Sequence, residues 1–184
     1  MDYFTSDLHI GHNKNFLYGN RGFSSIEEHD TKILKQCNEI VGPEDHLWIL
    51  GDLAMSGDIK EWNRIYKNLI CQNVHYIQGN HDTDNKMDIY EQDYKFIYHG
   101  YADIYKPNKK ITFYLSHYPT MTGNYKNDGH LVWNLSGHTH SKNRFEYGQY
   151  NIYNVAADAH DCKPISIEQI MKDIKQYITI NKKE

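Results

Sequence analysis

Between Tyr3 and His140, five short apolar runs each give way to Asp, Asn or His. Tyr3-Phe4-Thr5 leads into Asp7-Leu8-His9, and Leu47-Trp48-Ile49-Leu50 into Gly51-Asp52. Val74–Ile77 leads into Gly79-Asn80-His81-Asp82, Ile111–Leu115 into His117, and Leu131–Leu135 into Gly137-His138-Thr139-His140. Runs of this length, rich in β-branched and aromatic residues, are strand-like. In an open α/β sheet, functional groups collect beyond the carboxyl ends of the strands. A single Asp-x-His or Gly-Asp is ordinary turn chemistry. Five ordered strand ends that all finish in ligand-type side chains instead predict one site at one sheet edge. Glycine precedes three of the groups, where a tight turn swings the next side chain back over that edge.

The segments between the runs read as helices. Ser24 or Ser25 caps a helix over about 26–41 whose inward face carries Ile33, Leu34, Cys37, Ile40 and Val41, and Gly42-Pro43 stops it. Further helices are expected over about 58–69 and 84–91. The second half is richer in strands, at Lys95–Tyr98, 111–115, 131–135 and Tyr150–Val155. A closing helix over about 166–178 is capped by Ser166, with Ile167, Ile170, Met171, Ile174 and Ile178 as its stripe. The order βαβαβ, then mostly β, then α predicts an α/β or α+β sheet core flanked by helices. At 184 residues the chain is expected to form a single domain, 1–184.

Composition excludes some functions and leaves others. No run approaches the ~18–20 apolar residues of a membrane span. The opening Met1–Asp7 has no basic, apolar leader, so a cytoplasmic protein is expected. Cys37, Cys71 and Cys162 are sparse and odd in number, and read as free thiols rather than a disulfide frame. A net charge of −4 argues against a strong nucleic-acid-binding surface, although bound metals would add positive charge that formal counting misses.

The gathered donors are two carboxylates, one Asn and four His, a mixed oxygen and nitrogen field without thiolate. That field suits Mn²⁺ foremost, with Fe²⁺, Zn²⁺, Ni²⁺ or Co²⁺ as alternatives, and disfavours Ca²⁺ and Cu(I). It exceeds one tetrahedral site and suits two ions about 3.5–4 Å apart with a carboxylate between them.

The motif order Asp-x-His, Gly-Asp, Gly-Asn-His-Asp, His, Gly-His-x-His resembles that of calcineurin-like metallophosphoesterases. The run His9-Ile10-Gly11-His12 and the C-terminal Asn154-Val155 and Pro164-Ile165-Ser166 segments resemble the small, cap-less bacterial and phage members. The resemblance implies a four-layer α/β/β/α sandwich. It implies that Asp7, His9 and His140 hold one metal and Asn80, His117 and His138 the other, with Asp52 bridging. His81 is then the catalytic acid and Asp82 the group that orients its imidazole. The implied reaction is phosphoester hydrolysis by a metal-bridging hydroxide in line with a leaving group that His81 protonates.

Departures narrow the reading. The protein Ser/Thr phosphatase branch follows Gly-Asp with an Arg-bearing segment; here Gly51-Asp52 continues as Leu53-Ala54-Met55-Ser56-Gly57. Of the arginines, Arg21, Arg64 and Arg144, Arg21 is the candidate phosphate clamp, with a simple ion pair as its alternative. His12 is a candidate substrate contact or supporting group. His29, His46, His75, His99 and His160 read as incidental, and His130 has no assigned place. A compact chain without a cap leaves an open site, so a phosphodiesterase acting on small phosphodiesters or nucleotides is expected. A phosphomonoesterase or a nuclease of the same family is the alternative. A partner-binding scaffold on this fold is disfavoured, because all eight ligand and acid positions are filled.

Overall fold

The computed structural model describes residues 1–55, 63, 66–122, 131–147 and 150–181. The expected helix over 58–69 and His130 fall largely or wholly outside them. In chain order the elements are β1 (Asp2–Thr5), α1 (Asn15–Tyr18), α2 (Ile26–Ile40), β2 (His46–Leu50), β3 (Asn73–Ile77), α3 (Asp84–Gln92) and β4 (Ile97–Tyr98). There follow β5 (Ala102–Tyr105), β6 (Ile111–Ser116), β7 (Leu131–Ser136), β8 (Phe145–Glu146), β9 (Ile152–Asn154), a 3₁₀ turn (Ala157–Ala159), β10 (Ile165–Ser166) and α4 (Ile167–Asn181).

The strands form two five-stranded sheets, ordered β10-β1-β2-β3-β4 and β5-β6-β7-β9-β8. In the first, β1 to β4 run parallel and β10 pairs antiparallel with β1. In the second, β6, β7 and β9 run parallel between antiparallel β5 and β8. Alternation along β2 separates two cores, as the period of a strand requires. Leu47 and Ile49 join Ile33, Cys37, Met87 and Tyr90 from α2 and α3 on one face. Trp48 and Leu50 join Phe113, Leu115, Trp133, Leu135 and Tyr153 of the second sheet on the other, together with Ile167, Ile170 and Ile174 of α4. The result is an α/β/β/α sandwich.

The helix signals read from the sequence have physical counterparts. Ser25 Oγ accepts from the Glu28 amide and the Glu28 carboxylate accepts from the Ser24 amide, a reciprocal cap that starts α2. Ser166 Oγ accepts from the Gln169 amide at the start of α4. Three short strands, β5, β8 and β10, have no counterpart in the sequence pattern, and the strand expected over Lys95–Tyr98 forms as β4 at Ile97–Tyr98 alone. The run Ile165-Ser166, which reads as a helix approach, pairs with Tyr3 and Phe4 as an edge strand before the helix begins.

One feature of this topology positions the site. The carboxyl ends of β1, β2 and β3 and those of β6, β7 and β9 meet at one edge. Ser6 bridges Ala156 in parallel, and the Ala157 amide donates to Ser6 O, so the two sheets are tied together where their functional loops leave.

Candidate metal and active site

Beyond β1 and β2 the chain continues as two loops that hold each other. The Asp7, His9 and Ile10 amides donate to the carbonyls of Gly51, Asp52 and Leu53. Asp7 (φ 55°), His9 (φ 51°), Asp52 (φ 53°), His138 (φ 70°) and His140 (φ 52°) all have left-handed backbones. Such conformations persist only where the surroundings over-determine them, and they cluster at functional sites. Two glycines make the close packing possible. A Cβ on Gly137 would overlap Ser6 Oγ and Asp7 Oδ2, and one on Gly79 would overlap Asp52 Oδ1 and crowd the Asp52 amide.

The side chains these loops present converge. Asp7 is fully buried; its Oδ2 accepts from Ser6 Oγ (2.7 Å) and the His138 amide (2.9 Å). Its Oδ1 is buried with no hydrogen-bond partner, 3.9 Å from His9 Nε2 and 3.8 Å from His140 Nε2. Those two imidazole nitrogens face each other at 3.1 Å. Asp52 Oδ2 lies 3.9 Å from His9 Nε2 and 3.5 Å from His117 Nε2, between the two halves of the cluster. Asn80 Oδ1 lies 2.9 Å from both His117 Nε2 and His138 Nδ1.

The protonation pattern identifies what such a cluster fits. His117 Nδ1 donates to Leu50 O at 2.9 Å, so in the neutral ring Nε2 is a bare acceptor. It faces the Asn80 oxygen and Asp52 Oδ2, both electron-pair donors, with His138 Nδ1 at 3.2 Å. His140 Nδ1 donates to Asp158 Oδ2 at 2.9 Å, which likewise turns its Nε2 lone pair toward His9 and Asp7. Lone pairs directed at common points are satisfied by cations. Among the described residues, Asp7-His9-His140 and Asp7-Asp52-His117 are the groups with metal-ligand spacing. The residues therefore fit a divalent metal site. Burial raises the Asp7 pKa, and burial followed by the repulsion of His140 and Arg21 pushes His9 down to about 2. The Asp7 shift means that its ionised, ligating form gains from a nearby cation, and the His9 shift keeps that ring neutral, the form in which it ligates.

His81 stands apart from the ligands. Its side chain is 43% exposed, with Nε2 3.9 Å from Asp52 Oδ2 and its ring 5.5 Å from that of His9. Its own amide donates to Asp52 Oδ1 at 2.9 Å, so the loop that offers the imidazole also steadies the carboxylate.

Two expectations need correction. Asp82 does not orient the His81 ring. Its Oδ2 accepts from the Asp52 and Gly79 amides, both at 2.8 Å, and its Oδ1 is buried without a partner. Asp82 thus ties the β2 loop to the β3 loop from beneath. Arg21 does not present a free guanidinium to substrate. Its side chain is 2% exposed and forks onto Asp158, with Nε to Oδ1 at 3.0 Å and a terminal nitrogen to Oδ2 at 2.7 Å. Its remaining donors reach the Asp7 and Leu8 carbonyls and the His29 ring. The ion-pair alternative is the one this geometry favours.

The sequence reading missed Asp158. It follows β9, so the rule that selected the other five strand ends would have found a sixth. Against burial, which pushes its pKa up, the hydrogen bonds from His140 and Arg21 hold its carboxyl well below the usual range. The bond to Asp158 in turn raises the His140 pKa. His29 is not incidental either: fully buried, it pairs with Asp30 Oδ1 (2.7 Å), whose Oδ2 accepts from the Gly11 amide. His12 lines a cavity beside the cluster, its ring 5.5 Å from that of His9.

Parallel strands of two stacked sheets thus deliver Asp, Asn and His donors to one edge, where they fit a divalent metal. The sequence profile of the calcineurin-like phosphoesterase family matches residues 3–173, and the chain belongs to that family. It is 30% identical over 179 residues to the uncharacterized protein MJ1445 of Methanocaldococcus jannaschii, covering 95% of this chain and 91% of that one. It is 29% identical over 165 residues to the Gene 66 protein of Mycobacterium phage L5, covering 76% of this chain and 77% of that one. Among solved structures, a protein of unknown function from Aquifex aeolicus, AQ665, superimposes with a TM-score of 0.70 at 28% identity, covering 94% of this chain and 98% of that one.

Proposed function

We propose that this chain is a two-metal phosphodiesterase acting on small phosphodiesters or nucleotides. The observation that carries the reading is the convergence of Asp7, His9, Asp52, Asn80, His117, His138 and His140 on one edge, with carboxylate and imidazole lone pairs directed inward. In this reading Asp7, His9 and His140 hold one ion, Asn80, His117 and His138 the other, and Asp52 lies between. Two divalent ions, Mn²⁺ foremost, would neutralise the phosphate oxygens and supply an activated water there.

The protein's own groups do the rest. Bond formation from that water's oxygen to phosphorus would break the ester P–O bond opposite it and release the water's proton to solvent. His81, exposed beside Asp52, gives its proton to the departing oxygen, leaving an alcohol and a phosphomonoester. Two features favour diesters. With Arg21 committed to Asp158, no buried arginine among the described residues is offered to a phosphomonoester dianion. Two clefts, of about 780 and 290 Å³, also border the His138-Thr139-His140 turn, the first lined by His140 and the second by His138 and Thr139, which offers room for two arms of a diester.

The test is metal content and turnover together. Purified protein loaded with Mn²⁺ should hold about two ions per chain and hydrolyse bis-p-nitrophenyl phosphate with higher kcat/KM than p-nitrophenyl phosphate. Asp52→Asn should lose both ions or retain one and be inactive. A monoester preference of roughly tenfold or more would defeat the diesterase assignment and leave the metal reading standing.

A further inference from the structure

The larger cleft is more than a passage to the metal edge. Its floor is formed by His9, His81 and His140, the same rings that face the reacting phosphate in the reading above. Its wall is apolar: Phe16, Leu17 and Met55. Phe16, which lines the cleft, is 65% exposed, so its ring is open to a ligand. The ring is not loose. It meets His12 edge to face at 5.5 Å and 90°, and Leu17 beside it is buried in the body of the protein. The rim beyond carries an amide, Asn20, and a cation, Lys142, both exposed.

A phosphate group makes no use of an apolar wall, and a volume of about 780 Å³ is several times what it fills. What suits an exposed aromatic face with amide and ammonium groups around it is a planar ring that is apolar on its faces and polar at its edges. His81 opens into this cleft, so the group that leaves with its proton leaves into the same space. We infer that the cleft is a nucleobase shelf: the leaving arm of the substrate is a nucleoside whose base stacks on Phe16, with Met55 behind it and Asn20 and Lys142 at its edge. This rests on the phosphoesterase reading of the metal edge and adds the chemical class of one substrate arm. Base stacking tolerates any base, because every base has a π face, so the shelf selects nucleosides over sugars and alkyl alcohols rather than one base over another.

The test is a binding measurement that keeps the phosphate constant. With Mn²⁺-loaded protein, calorimetry should show adenosine 5′-monophosphate binding roughly fivefold to a hundredfold tighter than ribose 5-phosphate, the affinity one stacked base contributes. Phe16→Ala should erase most of that difference while ribose 5-phosphate binding stays put, and Phe16→Trp should keep it. Because Phe16 is mostly exposed, folding of these variants is not at issue. Equal affinity for the two ligands in the natural protein, or a difference that survives in Phe16→Ala, would overturn the shelf. Hydrolysis of bis-p-nitrophenyl phosphate, run in parallel, reports on the other reading. A base-dependent difference without that hydrolysis would support the shelf and overturn the diesterase.

Discussion

His81 and Asp158 stand on either side of the same ligand cluster and make opposite predictions. The His81 side chain nears Asp52 (3.9 Å) and the His9 ring (5.5 Å between centroids) but is not one of the proposed ligands. In His81→Ala the metal content, read by elemental analysis, should therefore survive while turnover falls by about 10²–10⁴-fold. The loss should be smaller for nitrophenyl than for alkyl leaving groups, which need the proton more; equal losses would remove His81 from the acid role. Asp158 also borders the larger cleft, but its effect on the cluster runs through His140. It fixes the tautomer of His140 through Nδ1 and is itself clamped by Arg21. Asp158→Asn should weaken metal binding by about 10–100-fold, the usual effect of losing a carboxylate behind a ligating histidine. That deficit should shrink when excess Mn²⁺ is supplied, which a general folding defect would not do.

At the level of elements, β2 and β3 carry a second histidine assembly away from the site. His46 Nδ1, His75 and His99 form a hydrogen-bonded chain, with links of 2.8 and 2.9 Å, that ends on Asp103 of β5 at 2.7 Å. His75 lies flat against Trp48, with centroids 4.1 Å apart. Burial, then repulsion from His99 and His46, pushes its pKa down to about 4 against the attraction of Asp2 and Asp103. The unfolded chain, with an ordinary histidine near 6.5, binds the proton first. Stability contributed by neutral His75 is present above about pH 6.5 and is lost as pH falls toward 4. His75→Gln should flatten the fall in Tm across that window. These histidines read as incidental in the sequence because nothing local marks them. Their partners come from different strands, and His99 and Asp103 carry the chain over to β5 of the other sheet. The ligand groups were legible for the converse reason: each follows its own strand directly, so a local pattern and a rule about parallel sheets were enough. Asp82 and Arg21 were misjudged because their partners, the Asp52 amide and Asp158, are set by tertiary packing rather than by spacing.

For the molecule as a whole, the site is also a seam. The loops from both sheets meet at Ser6–Ala156 and at the Asp7–His138 bond, and the groups buried there repel or go unpaired without a cation. A ligand that binds only the folded chain stabilises it by about 2.7 kcal/mol at a hundredfold excess over Kd. For a chain of this length that corresponds to roughly 5–10 °C in Tm. Stripping metal with EDTA should lower Tm by about that much, and added Mn²⁺ should restore it; an unchanged Tm would argue against ions binding across the seam. No helix among the described residues is long and apolar enough to cross a membrane.

The left-handed backbone at Asp7, His9, Asp52, His138 and His140 bears on how this sequence would drift under relaxed selection. Each such residue is strained by about 1–2 kcal/mol relative to glycine, which has no Cβ to crowd the following carbonyl. In metal-free protein His9→Gly should therefore be more stable than His9→Ala, the reverse of the usual order for these two residues, and chemical denaturation of the pair would show it. A descendant that no longer used its metals would be released from this tension at those five positions first. Glycine or asparagine appearing there, while the glycines that face Asp7 and Asp52 stay put, would mark a lineage that kept the fold and gave up the chemistry.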